Sequence, residues 1–404
     1  VSSSPTESPA SARGGRFTSP LLPIFLVVAV DVLGMTLILP LLPFYTERMG
    51  ASPTIVGALV SVYALCQLIA GPYLGRVSDR IGRRPVLLIS QVGTLIGFIV
   101  LGLAQSVWVV FLSRMIDGAT AGNLSIAQAY ISDVTKPENR AKSFALIGIA
   151  FGFGFMVGPG ISGYLAAQNF LYPIVAAALL SCASILCTYF LLPRHEPMRA
   201  VNENPGPGGR RLAVLDWSGY VKFFREPAMR RLLIQWFLFA FSFSSMMSGF
   251  ALFAERRYSW NGHPFGVREV GYIFAYTGLL GIIMQGGMVG RMVKWFGERK
   301  VVRMGFSASA IGYAAIGFTY HLWDLLLVQT FASIGTSGLR PALTSVITQK
   351  ADRREQGVVL GLTQSLTSIA QITAPLIAGK LIDLHLLSTW AILSGLVALL
   401  ALFA

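Results

Sequence analysis

The stretch Gly75–Pro85 reads GRVSDRIGRRP and stands between two long apolar segments. It holds one acid, Asp79, and four arginines, Arg76, Arg80, Arg83 and Arg84. A short hydrophilic connection this basic, between two spans, belongs on the cytoplasmic side of a membrane. A cluster that only oriented helices would need Lys or Arg alone. It would have no use for an acid four residues after Gly75 and a glycine, Gly82, three after that. The rest of the chain fits a membrane setting. Of its 404 residues 54% are hydrophobic and 12% charged, and the mean hydropathy is +0.64. A soluble surface needs roughly a quarter of the residues charged, so a soluble domain of this length is excluded.

The formal charge of +14 raises the question of nucleic acid, and its placement answers it. Of 32 Lys and Arg, 25 fall in the N-terminal tail or in segments assigned to the cytoplasm. Arg48, Arg256, Arg257, Arg268 and Lys380 fall outside, and Arg114 and Arg340 within spans. That distribution is the positive-inside rule, and no nucleic-acid partner is expected. Cys66, Cys182 and Cys187 all lie in apolar spans, with neither a disulfide framework nor metal-ligand spacing. No metal site is expected.

A bilayer core takes roughly 20 helical residues. On that measure the chain has twelve spans, near 20–44, 54–75, 86–105, 107–131, 142–166, 171–192, 230–254, 268–289, 301–319, 323–347, 357–379 and 386–404. The expected organisation is a disordered cytoplasmic tail at 1–19, a six-helix bundle at 20–192, a cytoplasmic linker at 193–229 and a second six-helix bundle at 230–404. The tail lacks a signal-peptide layout, because the apolar run after it carries Asp31 and is too long. The linker contains NENPGPGGRR, too rich in Pro and Gly to fold alone, then LDWSGYVKFFREP, an amphipathic helix for the inner membrane surface. Both termini are expected in the cytoplasm.

The halves repeat. Adding 215 carries Gly75 to Gly290, Arg76 to Arg291, Gly82 to Gly297, Arg84 to Arg299 and Trp108 to Trp323. Adding 216 carries Pro159 to Pro375 and Gly163 to Gly379. Such internal repeats build central cavities that open to alternate sides. The copies differ in charge: Asp79 maps to Lys294, Asp31 to Met246 and Arg114 to Gln329, so the ionisable groups concentrate in the first half.

Asp31 stands mid-span in VDVLGMTLILPLLP. An ionised carboxylate there costs about 2.5–3.5 kcal/mol on insertion scales, so it needs a cavity or a partner. It can hold a proton or a cationic group, but not both, which is the simplest basis for exchange; the plain alternative is an Asp satisfied by helix packing. Arg114 and Asp117, in SRMIDGATAGN, are three apart and share a helix face. Either Asp117 or Asp31 can partner Arg114. Span five reads GIAFGFGFMVGPGISG, where the glycines allow close helix approach and Pro159 bends the segment. Arg340, in TSGLRPALTS, either snorkels to headgroups or lines the inner cavity. Gln67, Asn123, Gln128, Gln235, Tyr276, Gln285, Gln329, Gln364 and Gln371 are polar groups within spans, some for the cavity and some for helix–helix hydrogen bonds. The run FLFAFSFSSMMSGF offers an adaptable apolar wall or simply core.

The spacing G-x-x-x-D-R-x-G-R-R from Gly75 to Arg84 resembles the loop between helices two and three of the major facilitator superfamily. Asp133 and Arg140, in SDVTKPENRAKS, resemble the loop between helices four and five that joins the same gate. The R-x-x-x-G run from Arg114 to Gly118 resembles the span-four motif associated with proton transfer. The run Gly154, Gly158, Pro159, Gly163 resembles the antiporter motif of drug exporters. With Asp31–Pro43, ALFAERRYSW and REQGVVLGLTQSLT, the likeness extends to the tetracycline-efflux branch over nearly the whole chain. By alignment, that branch carries an acid in span three, a His in span eight and an acid in span nine; here those places hold Gly97, a residue at about Gly281, and Ser309.

The resemblance implies an all-α major facilitator fold and a proton-coupled exporter of amphipathic small molecules in a bacterial-type inner membrane. It would be driven by the proton gradient without a cofactor, in contact with lipids, and would work as a monomer. Asp31, Arg114 and Asp117 would couple protons to substrate, and Asp79 with its arginines would gate the inner side. Rivals are the same fold as a symporter or lipid transporter, and a receptor that binds without transport. A membrane enzyme finds no nucleophile, metal or phosphate motif, and His195, His263, His321 and His385 lie at span ends or in loops.

Overall fold

The computed structural model describes residues 21–135, 140–192, 222–351 and 356–404. The tail and most of the linker, including NENPGPGGRR, lie outside the described residues. Among the described residues, twelve helical traverses follow in order. The first half holds α1 (Leu21–Ile38) with α2 (Leu41–Glu47), α3 (Pro53–Ile81), α4 (Arg83–Gly102), α5 (Val107–Thr120) with α6 (Asn123–Val134), α7 (Arg140–Ala166) and α8 (Leu171–Leu191). The second holds α9 (Pro227–Arg257), α10 (Val267–Ile283) running through a π turn (Met284–Met288) into α11 (Val289–Phe296), α12 (Glu298–Ile316), α13 (Leu322–Lys350), α14 (Gln356–Asp383) and α15 (Leu387–Leu400). Eight of these stretches are long and apolar enough to cross a membrane by length and composition alone. A two-residue hairpin, Ser259–Trp260 with His263–Pro264, decorates the connection after α9.

The basic stretch at 75–85 is less of a loop than its hydrophilicity suggests. Helix α3 continues to Ile81, and α4 begins at Arg83 with Pro85 in its first turn, where the missing N–H costs nothing. The whole turn is Gly82, with φ 99° and ψ 157°, a region open in practice only to glycine. Gly297 repeats it in the second half, with φ 79° and ψ 154°. Hydropathy reads a charged helix end outside the bilayer as a connection, because it sees polarity and not backbone geometry.

Apolar burial divides by depth. At the end away from the arginines, one core joins both halves: Leu37, Phe44, Leu59 and Phe98 share it with Met246, Phe250, Phe274 and Trp390. At the arginine-rich end there are two separate cores. One is built from Ile24, Val86, Ile126 and Leu192, the other from Met229, Phe306, Leu339 and Leu343. The molecule is sealed at the far end and parted at the basic end.

Two interfaces make the seal, α3 on α14 and α7 on α10, and they are copies of each other. Gly57 lies against the Pro375 carbonyl, and Gly271 against that of Pro159; Gly379 lies on Pro53 and Thr54, and Gly163 on Val267 and Arg268. A Cβ at any of the four would collide with backbone or press within about 3.0 Å of it. Close backbone approach through small residues is how helices associate in lipid, where no hydrophobic effect drives them together. Polar groups add to the seal. Ser61 Oγ donates to the Ile372 carbonyl (2.6 Å), Thr54 Oγ1 to Asp383 Oδ2 (2.6 Å), and Arg256 pairs with Glu47 (2.5 Å). By contrast, a Cβ on Gly71, Gly75, Gly148, Gly286, Gly290 or Gly361, toward the basic end, would meet nothing within 4 Å.

Candidate functional site

Asp31 lies midway along α1, which packs between α7 and α8. Its carboxylate is directed into the first half, toward Ser184 of α8, Gln91 of α4 and Asn123 of α6. Gln91 Nε2 donates to Ser184 Oγ (2.6 Å) and Ser181 Oγ to the Gln91 carbonyl (3.3 Å), which fixes this polar wall. Asp31 Oδ2, Gln91 Oε1 and Asn123 Oδ1 are sealed from solvent with no hydrogen-bond partner among the described residues. Asn123 reaches the cluster because the fourth traverse breaks at Ala121–Gly122 and restarts at Asn123. Ser90 supports the break, accepting from Gly122 N (2.9 Å) and donating to the Thr120 carbonyl. That is the kind of re-satisfaction a broken helix needs in lipid.

Arg114 pairs with Asp117 at 3.2 Å, and both are buried. The spacing left Asp31 as a second candidate partner; the contact made is with Asp117. Gly97 permits it, since a Cβ there would sit 3.1 Å from that of Asp117. Thr94 and Tyr63 also face the acid. Asp31, Asp117 and Arg114 together leave one negative charge inside the first half when all are ionised. One proton or one cationic group balances it.

At the basic end, Arg83 binds Asp79 (2.6 Å), Asp133 (2.8 Å) and Ser78 Oγ (2.7 Å), joining α3, α4 and α6 within one half. Arg84 donates to the Tyr189 carbonyl and lies over its ring, while Arg80 is exposed. The side chain of Arg140 lies outside the described residues. In the run from Gly154 to Gly163, Gly154 packs on Val32 and Gly158 on Thr36, both of α1, while Pro159 and Gly163 meet α10 in the far-end seal. The segment therefore touches both the helix that carries Asp31 and the other half.

The remaining polar groups divide. Gln235 Nε2 donates to the Ala401 carbonyl (3.0 Å), and Tyr276 Oη bonds Thr330 Oγ1 (2.6 Å) beside a cavity of about 450 Å³ at the far end. Gln329 is buried, with Oε1 unpartnered among the described residues; Gln67 and Gln371 are half-buried; Gln128, Gln285 and Gln364 are exposed. Phe239, Met246 and Phe250 of the aromatic run are core, while Phe237 and Phe241 are half-buried and pair with each other. Among the described residues no three His, Cys, Asp or Glu side chains converge as a metal site would require. Sequence reasoning passed over Gln91, Ser184, Thr94 and Tyr63. Gln91 carried the same signal as the chosen glutamines, a polar group in an apolar span; the other three gave none that spacing could detect.

Two helical bundles, sealed together at one end and carrying buried ionisable groups in one of them, define a membrane transporter architecture. The chain belongs to the Major Facilitator Superfamily, whose family model matches residues 24–295 and 286–404. It is 31% identical over 367 residues to the tetracycline resistance protein, class B, of Escherichia coli, covering 90% of this chain and 88% of that one. It is 26% identical over 370 residues to multidrug resistance protein 2 of Bacillus subtilis (strain 168), covering 89% and 88%. A bacterial homolog to the human lysosomal transporter Spinster, in an inward-facing and occupied conformation, superposes with a TM-score of 0.76 at 16% identity, covering 95% of this chain and 94% of that one. The protein is a multi-pass membrane transporter of small molecules and not an enzyme.

Proposed function

We infer that the chain is a proton-coupled exporter of amphipathic small molecules, working by alternating access as a monomer in a bacterial-type inner membrane. The basic end and both termini face the cytoplasm, so a seal at the far end makes this the inward-open state. The observation that carries the reading is the buried charge of the first half, short of one positive charge, in a chain similar to tetracycline and multidrug resistance proteins. Asp31 holds the proton on a polar wall of Gln91, Asn123 and Ser184. Arg114, fixed on Asp117, sets the field around it. Asp79 with Arg83, Arg84 and Asp133 braces the inner ends of the first half, and the Gly154–Gly163 segment relays between α1 and the seal.

Gly97, Gly281 and Ser309 bring no acid or imidazole. Gly97 packs on Asp117, and Ser309 bonds within its own helix to Gly305. The three polar residues that the tetracycline-efflux branch carries at these places are missing, which weighs against tetracycline itself as the cargo. The test is proton movement in proteoliposomes under a pH gradient, followed by a pH dye while amphipathic compounds are added. Substrate-dependent flux in the wild type, lost in Asp31→Asn with folding intact, is expected. Coupling that persists in Asp31→Asn overturns the role of Asp31.

A further inference from the structure

The second half has one charge in its interior that nothing among the described residues balances. Arg340 lies on α13 ten residues before Lys350, about 15 Å inside that helix end at the α-helical rise. Its side chain is exposed, and among the described residues no acid pairs with its guanidinium and no acceptor hydrogen-bonds it. The described acids of this half are engaged elsewhere or remote. Glu226 pairs with Lys350, Glu255 pairs with Arg256 and Glu269 caps Gly266 N; Glu298 bonds Ser345 and Gln349, and Asp383 accepts from Thr54. Asp324 is in the first turn of α13, about 24 Å up the same helix.

Nor does Arg340 lie on the face turned to lipid. The large exposed hydrophobics of α13 are Trp323, Leu327, Phe331 and Ile334. Phe331 is nine residues before Arg340, two and a half turns, hence on the opposite side of the helix. Arg340 instead shares its face with Ser333, Ser337 and Thr344, of which Ser337 and Thr344 donate their hydroxyls to backbone carbonyls of α13 itself. A hydroxyl-bearing stripe with a free guanidinium, between the packed face and the lipid face, in the part of the molecule where the two cores have separated, is a wall of the open cavity.

We propose that Arg340 is the anchor for an anionic group on the transported compound, so that the substrate class is an amphipathic organic anion or zwitterion bearing a carboxylate or sulfonate. A planar guanidinium with five donors fits such a group in two-point fashion, and an arginine left without a counter-ion at this depth is otherwise costly. The assignment rests on the exporter reading above and refines it.

Three dyes with one xanthene skeleton test it. Fluorescein is anionic, rhodamine B carries a carboxylate beside its cationic ring, and rhodamine 6G is the cationic ester without a free carboxylate. Binding to the purified full chain is followed by fluorescence anisotropy, and dye-driven proton flux is measured in proteoliposomes. Wild type should bind fluorescein and rhodamine B, and Arg340→Gln should weaken both about tenfold or more, the loss expected for a hydrogen bond to a charged group. Arg340→Lys should weaken them less, and rhodamine 6G should stay within about twofold throughout, which also reports that the variants are folded. Three results overturn the proposal: no binding of either carboxylate dye by wild type, equal binding by wild type and Arg340→Gln, or uniform loss of all three dyes in both variants. Absent flux with Arg340-dependent binding would sink the transport reading alone. Intact flux with Arg340-independent binding would sink the anchor alone.

Discussion

The two halves of this transporter match in backbone and differ in charge. Gly82 and Gly297, 215 residues apart, turn the chain in the same positive-φ region, within 20° of each other in φ and 3° in ψ. Around the first, Asp79 and Asp133 clasp Arg83; at the place of Asp79 the second half has Lys294, which makes no ion pair among the described residues. Deeper inside, Arg114 and Asp117 form a buried pair near Asp31, whereas the second half has Gln329, Ala332 and Met246 at the corresponding positions. Backbone geometry tolerates few residue types at a left-handed turn or a helix crossing, so duplication preserves it. Buried charge is costly without a function, so one copy has kept the acids and the other carries only an arginine facing the cavity.

The hardest test of that contrast makes the first half chemically like the second. Asp117→Asn leaves the Arg114 guanidinium buried and unpaired, and should lower stability by about 3–5 kcal/mol. Adding Arg114→Gln, the residue of the second half, should restore most of that stability but not proton coupling. Thermal unfolding and proton flux on the same preparations would separate the two. If the double variant stays as unstable as the single, the pair is needed for packing and its electrostatic role weakens.

A smaller effect tests the matching backbone. Gly82→Ala and Gly297→Ala each force a Cβ into a conformation reserved for glycine, at a cost of about 1–3 kcal/mol. The two losses in melting temperature should agree closely. A strongly unequal pair would show that side chains, not the turn itself, hold one of the two positions.

The smallest effect lies at the far end, where the halves meet. Glu47→Gln removes an ion pair that is near the surface, worth about 0–1 kcal/mol. Stability should hardly move, yet the balance between sealed and opened far ends should shift. Hydrogen exchange in residues 53–61 and 372–383 should rise severalfold while the two inner cores keep their protection. Unchanged exchange would place the strength of the seal in the glycine contacts alone.

These contrasts show what the sequence could and could not disclose. The mean hydropathy, the distribution of arginines and the repeat at 215 residues are properties of the chain taken along its length, and they are enough for twelve traverses in two bundles. The spacing of Arg114 and Asp117 placed them on one face because helical geometry is local. The breaks at Leu39–Pro40 and Ala121–Gly122 and the π turn at Met284–Met288 escaped, since apolar composition continues through them. So did Gln91 and Ser184 as neighbours of Asp31, because they come from helices whose order around the bundle no spacing encodes. The face of Arg340 needed the burial of its neighbours on α13. Which end is closed is a property of packing between halves, and no single segment carries it.

The four glycines of the seal have one more consequence. Gly57 rests on Pro375 as Gly271 rests on Pro159, and Gly379 on Pro53 as Gly163 on Val267, so each half offers the other the same two patches in return. That reciprocity is isologous, the arrangement by which a pair of identical chains closes on itself about a two-fold axis. The glycine half of the seal is thus written identically into each six-helix unit, whereas Thr54 with Asp383 and Glu47 with Arg256 lock the same end through pairs that only the joined chain provides.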